Sequence, residues 1–536
     1  MGKIKKIIFL AVCMTTLLTG CQNEKQVATD DSTGIIPAWQ KYADEPVTFD
    51  WYINYSWYTT PWGQNAVSKA ITDETGVSIE FVVPTGSESQ KLDAMIASDT
   101  LPDLITLGWW ETQAQTMVDQ DMVYALNLLA DEYDPYFYSV ADNEVINWYQ
   151  KEDGNLYGYP NSAYTPEDYK DNKNIGSNQN FLVRKDIYEA IGSPDMTTTE
   201  GFKAAVMKAA EMFPEVDGEP LIPVGSDEFT DEGCNSFDKY LQNFLAVPYE
   251  ESGIYYDRYL DPEYITWLKM FRELNSMGYL SNEIFIDKRV QLEEKMAKGR
   301  YFCLLYQGSD IQASQKILNA ENPDSIYIAV DGPKNSKGED PVLPSTGING
   351  WTITFISKNC ENPERAIAFL SYLMSEQGQK MVYLGVEGKT YDIVDGKCVI
   401  KPNVLELLNT DRNSYDQLYG ADDAYWMLQN NVMQDQWLDE TDPLIRSLKE
   451  WTVPYTHYTG QYDVVFEADS AFSQMDMKIN EEWGQTLPLL LLASSEEEFD
   501  QILADYKVKK YELGYGMLQK EYTRVMQESK EKLGLD

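Results

Sequence analysis

Between residues 47 and 107 the chain changes period four times, and that alternation limits the folds open to it. Residues 47–53, 77–83 and 104–107 are short apolar runs suited to strands. Between them, 66–74 and 89–98 read as helices; Leu92, Met95 and Ile96 share one stripe of the second, and Gly76 is placed to stop the first. Strands separated by a helix return to the same edge and pair in parallel, so this spacing predicts an α/β domain with a mostly parallel sheet. Ligands of such sheets bind beyond the carboxyl ends of the strands. One predicted end reads "PDLITLGWWE" (102–111), with Trp109 and Trp110 adjacent. Successive strand side chains point to opposite faces, so at least one indole points away from the core.

The alternation continues beyond this region. Residues 155–164 lead out of a first lobe, and "NFLVRKDIYEAIG" (180–192) reads as a strand running into a helix. Helices are predicted at 198–213, 262–277, 287–298, 362–383 and 496–532, and strands at 301–306, 326–330 and 350–357. The apolar run 487–492 contains Pro488, is far too short to span a bilayer, and reads as core.

The N-terminus predicts export. Lys3, Lys5 and Lys6 precede an apolar run at 7–18 of signal-peptide length, which ends in Leu18-Thr19-Gly20-Cys21. That ending resembles a bacterial lipobox and predicts cleavage before Cys21 and lipidation of its thiol; an ordinary signal peptide with an incidental cysteine is the alternative. Each buried lipid CH2 adds about 0.8 kcal/mol of membrane affinity, and two chains give stable anchoring. Residues 1–20 are thus the signal peptide and 21–45 a tether. Loss of the three lysines leaves 40 basic against 87 acidic residues, a net charge of −47. Nucleic acid and anionic headgroups are poor partners for such a surface. Cys234, Cys303, Cys360 and Cys398 lack zinc-like spacing, and Cys360 with Cys398 is a pairing that an exported chain permits.

Six segments in order, "ITDETGVSIEFV", "KLDAMIASDTLPDLI", "GNLYGYP", "FLVRKDIYEAIG", "KMAKGRYFCLLY" and "ENPERAIAFLSYLMSEQGQKMVYLGVEGKTY", resemble the family 1 extracellular solute-binding proteins of ABC importers, in particular their large lipid-anchored sugar-binding subgroup. The resemblance implies two α/β lobes with a ligand cleft between them. Lobe one is then 46–162 with 333–388, and lobe two 163–332 with 389–536. It implies crossings near 159–165, 330–334 and 389–397, and closure by hinge motion. The expected partners are an oligosaccharide, the permease subunits of an ABC transporter, and the outer face of the cytoplasmic membrane through the lipid anchor, with the receptor acting as a monomer. The sequence departs from the family pattern at Gly308-Ser309, where a tryptophan is frequent. It departs again at "FPEVDGEPLIP" (213–223), where only Asp217 and Glu219 stand in place of a calcium loop. Two carboxylates are too few for calcium's six to eight oxygens, so no metal and no cofactor is expected.

Catalytic motifs are sparse. His457 is the single histidine, and neither a GxSxG elbow nor a P-loop or GxGxxG accompanies it. An exported carbohydrate-active enzyme with paired carboxylates is the alternative function, since that chemistry needs no histidine. The aromatics carry the positive signal, with 13 Trp and 37 Tyr, many in predicted loops. A flat indole covers the C–H face of a sugar while polar groups satisfy its hydroxyl rim. The candidate ligand residues are Trp57 and Trp62 in "NYSWYTTPWGQN", Trp109 and Trp110 as a platform with Glu111 at its rim, Tyr159 and Asn161 at the hinge, Arg184, and Trp351. Packing between helices is the competing role for the paired indoles, and an Arg184–Asp186 helix cap competes with ligand contact. Trp148 and Trp267 fall on helical stripes and read as core.

Overall fold

The computed structural model describes residues 35–171, 174–440, 443–467 and 470–535; Cys21 and the signal region lie outside them. The first sheet holds five strands: β1 (Val47–Ile53), β2 (Val77–Val82), β3 (Leu104–Gly108), β4 (Gly158–Pro160) and, much later in the chain, a strand Thr352–Ile356. β1 pairs in parallel with β2 and β3, as a crossover through the helix Ala66–Thr75 requires. That helix starts at Asn65, whose side chain accepts from the Ser68 N–H, and stops at Gly76 in the left-handed region. β3 is buried throughout, in keeping with its unbroken apolar run and its place at the sheet centre.

A second sheet holds β5 (Gln179–Arg184), β6 (Ile222–Val224), β7 (Tyr301–Gln307) and β8 (Tyr327–Ala329), in the order β8-β5-β7-β6. The strand Thr352–Ile356 is β9. Each sheet has its own core. Trp51, Ile53, Val67 and Phe369 lie in the first, and Phe181, Trp267, Phe271 and Trp483 in the second. The chain is thus a two-lobed α/β protein.

The lobe boundaries differ from those expected. Residues 330–343 stay on lobe two: Lys334 accepts the Trp267 indole N–H, and Leu343 lies in the second core. The return crossing therefore lies at 344–351, not 330–334. The hairpin Tyr391–Val394/Lys397–Ile400 and residues 404–428 pack on the first core, so no crossing occurs at 389–397. The chain reaches lobe two again only in the segment where Leu448 and Trp451 join its cores. The tether is also shorter than expected, because Ala38 and Trp39 are buried in lobe one and the Trp39 ring meets Tyr372 edge-on at 5.0 Å. The resemblance thus misplaces two of the three crossings, and the segments themselves carry no period to place them by.

The expected C-terminal helix is two, Glu496–Glu512 and Tyr515–Leu533, broken at Gly514 with φ 107°. They pack with Ala471–Leu492, in which Leu487, Leu490 and Leu491 are fully buried. No described helix is long and apolar enough to cross a membrane. The described cysteines are all free, including Cys360 and Cys398.

Candidate functional site

β9 runs antiparallel to β3 and β4, so it starts at the edge where β1, β3 and β4 end. Four loops meet there: Asn54 to Trp57 after β1, Trp109 to Glu111 after β3, Asn161 after β4, and Asn349 to Trp351 before β9. Sheet topology alone brings together residues some three hundred positions apart.

Glu111 sits just before the helix Thr112–Asp119, yet its carboxylate turns back into the sheet edge. Its Oε1 accepts the Gly108 N–H at 2.7 Å and its Oε2 the Asn54 amide at 2.5 Å. Burial outweighs these donors and raises the Glu111 pKa. Gly108 is needed for this turn, because a Cβ there would come within 2.8 Å of the Trp110 ring and 3.0 Å of Glu111. Trp109 and Trp110 meet edge to face at 5.8 Å. Trp109 is half-buried, while Trp110 is 46 % exposed.

An aromatic shelf adjoins this turn. The Trp57 and Trp351 rings lie 6.2 Å apart and within 6° of parallel. Tyr55 lies 5.3 Å from Trp57 and 5.4 Å from Trp351, and Trp426 lies 4.6 Å from Trp351. Trp57 is 54 % exposed, whereas Trp426 is buried beneath. The Tyr55 hydroxyl is buried without a hydrogen-bond partner, and burial, followed by the charges of Glu111 and Glu88, pushes its pKa far up. It is therefore a neutral donor without an acceptor, and such a group is costly unless something binds it.

Asn161 holds the shelf in place. Its Oδ1 accepts the Thr352 N–H at 2.7 Å, its Nδ2 donates to the Trp426 carbonyl at 3.0 Å, and its own carbonyl accepts the Trp351 N–H. It is fully buried, so it positions Trp351 and Trp426 and presents nothing to a cleft. Gly350, at φ 69°, lets this strand approach, since a Cβ there would lie 2.0 Å from the Asn161 carbonyl oxygen.

Beside the shelf, Trp109 and Glu111 line a cavity of about 760 Å³ shared by both lobes. Trp148, Tyr149 and Asn349 continue the lobe-one wall, and Asp463, Phe466 and Lys532 stand on the other. Burial pushes the Asp463 carboxyl up to about 7.

Three sequence candidates lie elsewhere. Trp62 packs against Phe81, Phe369 and Tyr425 and donates its indole N–H to Thr72, inside lobe one. Tyr159 is 9 % exposed, with its hydroxyl accepting the Asp142 N–H. Arg184 forks onto Asp186 and donates to the Gly299 carbonyl. β5 is antiparallel to β7, so its carboxyl end falls away from the edge where Gln179 pairs with Gln307. Sequence patterning missed Trp426, Tyr55, Asn349 and Asp463. Trp148, read as core, packs half-buried against the first core and also lines the cavity, its indole N–H donating to Asn349 Oδ1 at 2.6 Å. Tyr55 stands in the aromatic-rich loop already singled out and Asn349 two residues before Trp351, but Trp426 and Asp463 carry no local signal.

His457 is exposed in a two-residue strand pair. Among the described residues no group of three His, Cys, Asp or Glu side chains is placed to hold a metal ion. The assembled groups are aromatic faces, hydroxyls, amides and carboxylates, a set whose chemistry suits polyhydroxylated ligands.

Residues 66–388 match the family of bacterial extracellular solute-binding proteins. The chain is 21 % identical over 432 residues to the polygalacturonan/rhamnogalacturonan-binding protein YtcQ of Bacillus subtilis, covering 78 % of this chain and 80 % of that one. It is 22 % identical over 344 residues to the lipoprotein LipO of the same organism, covering 61 % and 64 %. The ABC-transporter substrate-binding protein FusA of S. pneumoniae, solved in complex with kestose, shares the fold at a TM-score of 0.67 and 16 % identity, over 90 % of this chain and 99 % of that one.

Proposed function

The chain belongs to the bacterial extracellular solute-binding proteins, a family of binding proteins and not of enzymes, and from that premise we propose that it captures an oligosaccharide and delivers it to the permease of an ABC importer. The observation that carries this reading is the shelf of Trp57 and Trp351 beside the unpaired Tyr55 hydroxyl and the Glu111 carboxylate. Aromatic faces take the C–H side of a sugar, and the polar groups take its hydroxyls. The names of YtcQ and the FusA complex support a saccharide ligand. Trp109, Trp110 and Glu111 extend the shelf toward the cavity in this reading. Lipid on Cys21 holds the receptor at the outer face of the cytoplasmic membrane, a placement that LipO's name supports.

Titration calorimetry against a panel of oligosaccharides tests the reading. One or more should bind and be recovered uncut by chromatography. Recovery of shortened products points to a hydrolase instead. Cys21→Ser should move the protein from the membrane to the soluble fraction, and retention after a high-salt wash argues against the anchor.

A further inference from the structure

We propose that the inter-lobe cavity disfavours oligosaccharides carrying uronate carboxylates; this rests on the carbohydrate reading and names the charge class that its ligand lacks. The lobe-one wall carries Glu111, Asp119, Glu152 and Asp153, and the facing wall Asp463, Glu467 and Glu528. Lys151 and Lys532 are the basic residues of the lining, so acids outnumber bases seven to two. Outside the lining, Arg524 pairs with Glu528 and with Glu521, and the charge of Lys239 reaches Asp463.

Both lysines are already engaged. Lys151 Nζ donates to Gln115 Oε1 at 2.7 Å, and the acids around it are Asp119, Glu467 and Asp153. Lys532 Nζ donates to the Trp148 carbonyl at 2.5 Å and lies 5.1 Å from the Trp148 ring. Burial, and after it the charge of Lys151, hold the Lys532 pKa below its ordinary value. A uronate oligomer brings one carboxylate per sugar into this wall, where like charges repel and exclusion of water weakens screening.

Asn349 is 5 % exposed, and its side chain interacts with the Asp463 carboxyl, tempering the rise that burial gives that group. Several of the carboxylates are already committed as acceptors: Glu111 to Gly108 and Asn54, and Asp153 to the Tyr157 hydroxyl at 2.6 Å. Their remaining lone pairs suit hydroxyl donors. By this argument the chain parts company with the relative named for polygalacturonan, at 21 % identity.

The test is calorimetry on the full mature chain with length-matched panels of neutral, uronate and glucosamine oligosaccharides, at about 20 and about 500 mM salt. The best neutral ligand should bind at least about tenfold more tightly than any uronate at low salt. Salt should tighten uronate binding and leave neutral binding flat. Glu152→Gln with Glu467→Gln, both exposed, should narrow the neutral-to-uronate affinity ratio. A uronate that matches the neutral ligand, a uronate whose binding weakens with salt, or a glucosamine panel that binds less tightly than the uronate panel overturns the proposal while the carbohydrate reading stands. Binding by none of the three panels overturns both.

Discussion

Trp57 and Trp426 do different work within one cluster. Trp57 is exposed and free to meet a ligand, whereas Trp426 is buried and holds Trp351 from below. Trp57→Ala should weaken sugar binding by about 2 kcal/mol, as for a central aromatic anchor. The melting temperature should hardly move, because little buried area is lost; a large fall in melting temperature assigns the indole to the core instead. Asp423 offers a test of a different kind. Its oxygens accept from Gln434 and Gln429, and burial, then the charge of Asp422, push its carboxyl up to about 8. Unfolded, it titrates near its ordinary value of about 4. The folded state therefore binds the extra proton, so this contribution to stability is whole below about pH 4 and lost as pH rises through about 8. Thermal unfolding should show stability falling between those limits, and Asp423→Asn should flatten the slope. An unchanged slope removes Asp423 from the account.

At the scale of elements, Asn161 is the joint between β4, β9 and the turn that carries Trp426. Asn161→Ala should remove two side-chain hydrogen bonds and strand the Thr352 N–H and the Trp426 carbonyl, costing about 2–3 kcal/mol of stability. It should also weaken ligand binding without touching ligand, and chemical denaturation paired with titration separates the two effects. Weakened binding with full stability would instead make Asn161 a direct contact. The elements were largely legible in the sequence: β1 spans 47–53 as its pattern predicts, and β2, β3 and their helices fall within a residue or two. Periodicity reports which face of an element is buried, and these faces are. It does not report the sense of a strand within its sheet, which is why Arg184 was expected at the wrong end of β5. Nor does it report which distant turn fills a gap, so Trp426 went unseen.

Three segments join the lobes, and they are laced to one another. Ser162 N–H donates to the Gln429 carbonyl, Tyr164 N–H to the Gly347 carbonyl, and Ile348 N–H to the Tyr458 hydroxyl. Hinge closure about this seam should lower the radius of gyration on saturation with a sugar that calorimetry shows to bind, at unchanged mass; an identical scattering profile argues against a clamp. Trp351 and Trp426 stand at the lobe-one ends of two of these segments. Points beside an axle travel least when the arms swing. The shelf therefore keeps its shape whether the arms are apart or together, and a sugar can settle on it before anything shuts. On the clamp reading, arrival should be governed by the shelf and departure by the arms. Stiffening the seam should lengthen the residence time of bound sugar while leaving its rate of capture nearly as it was.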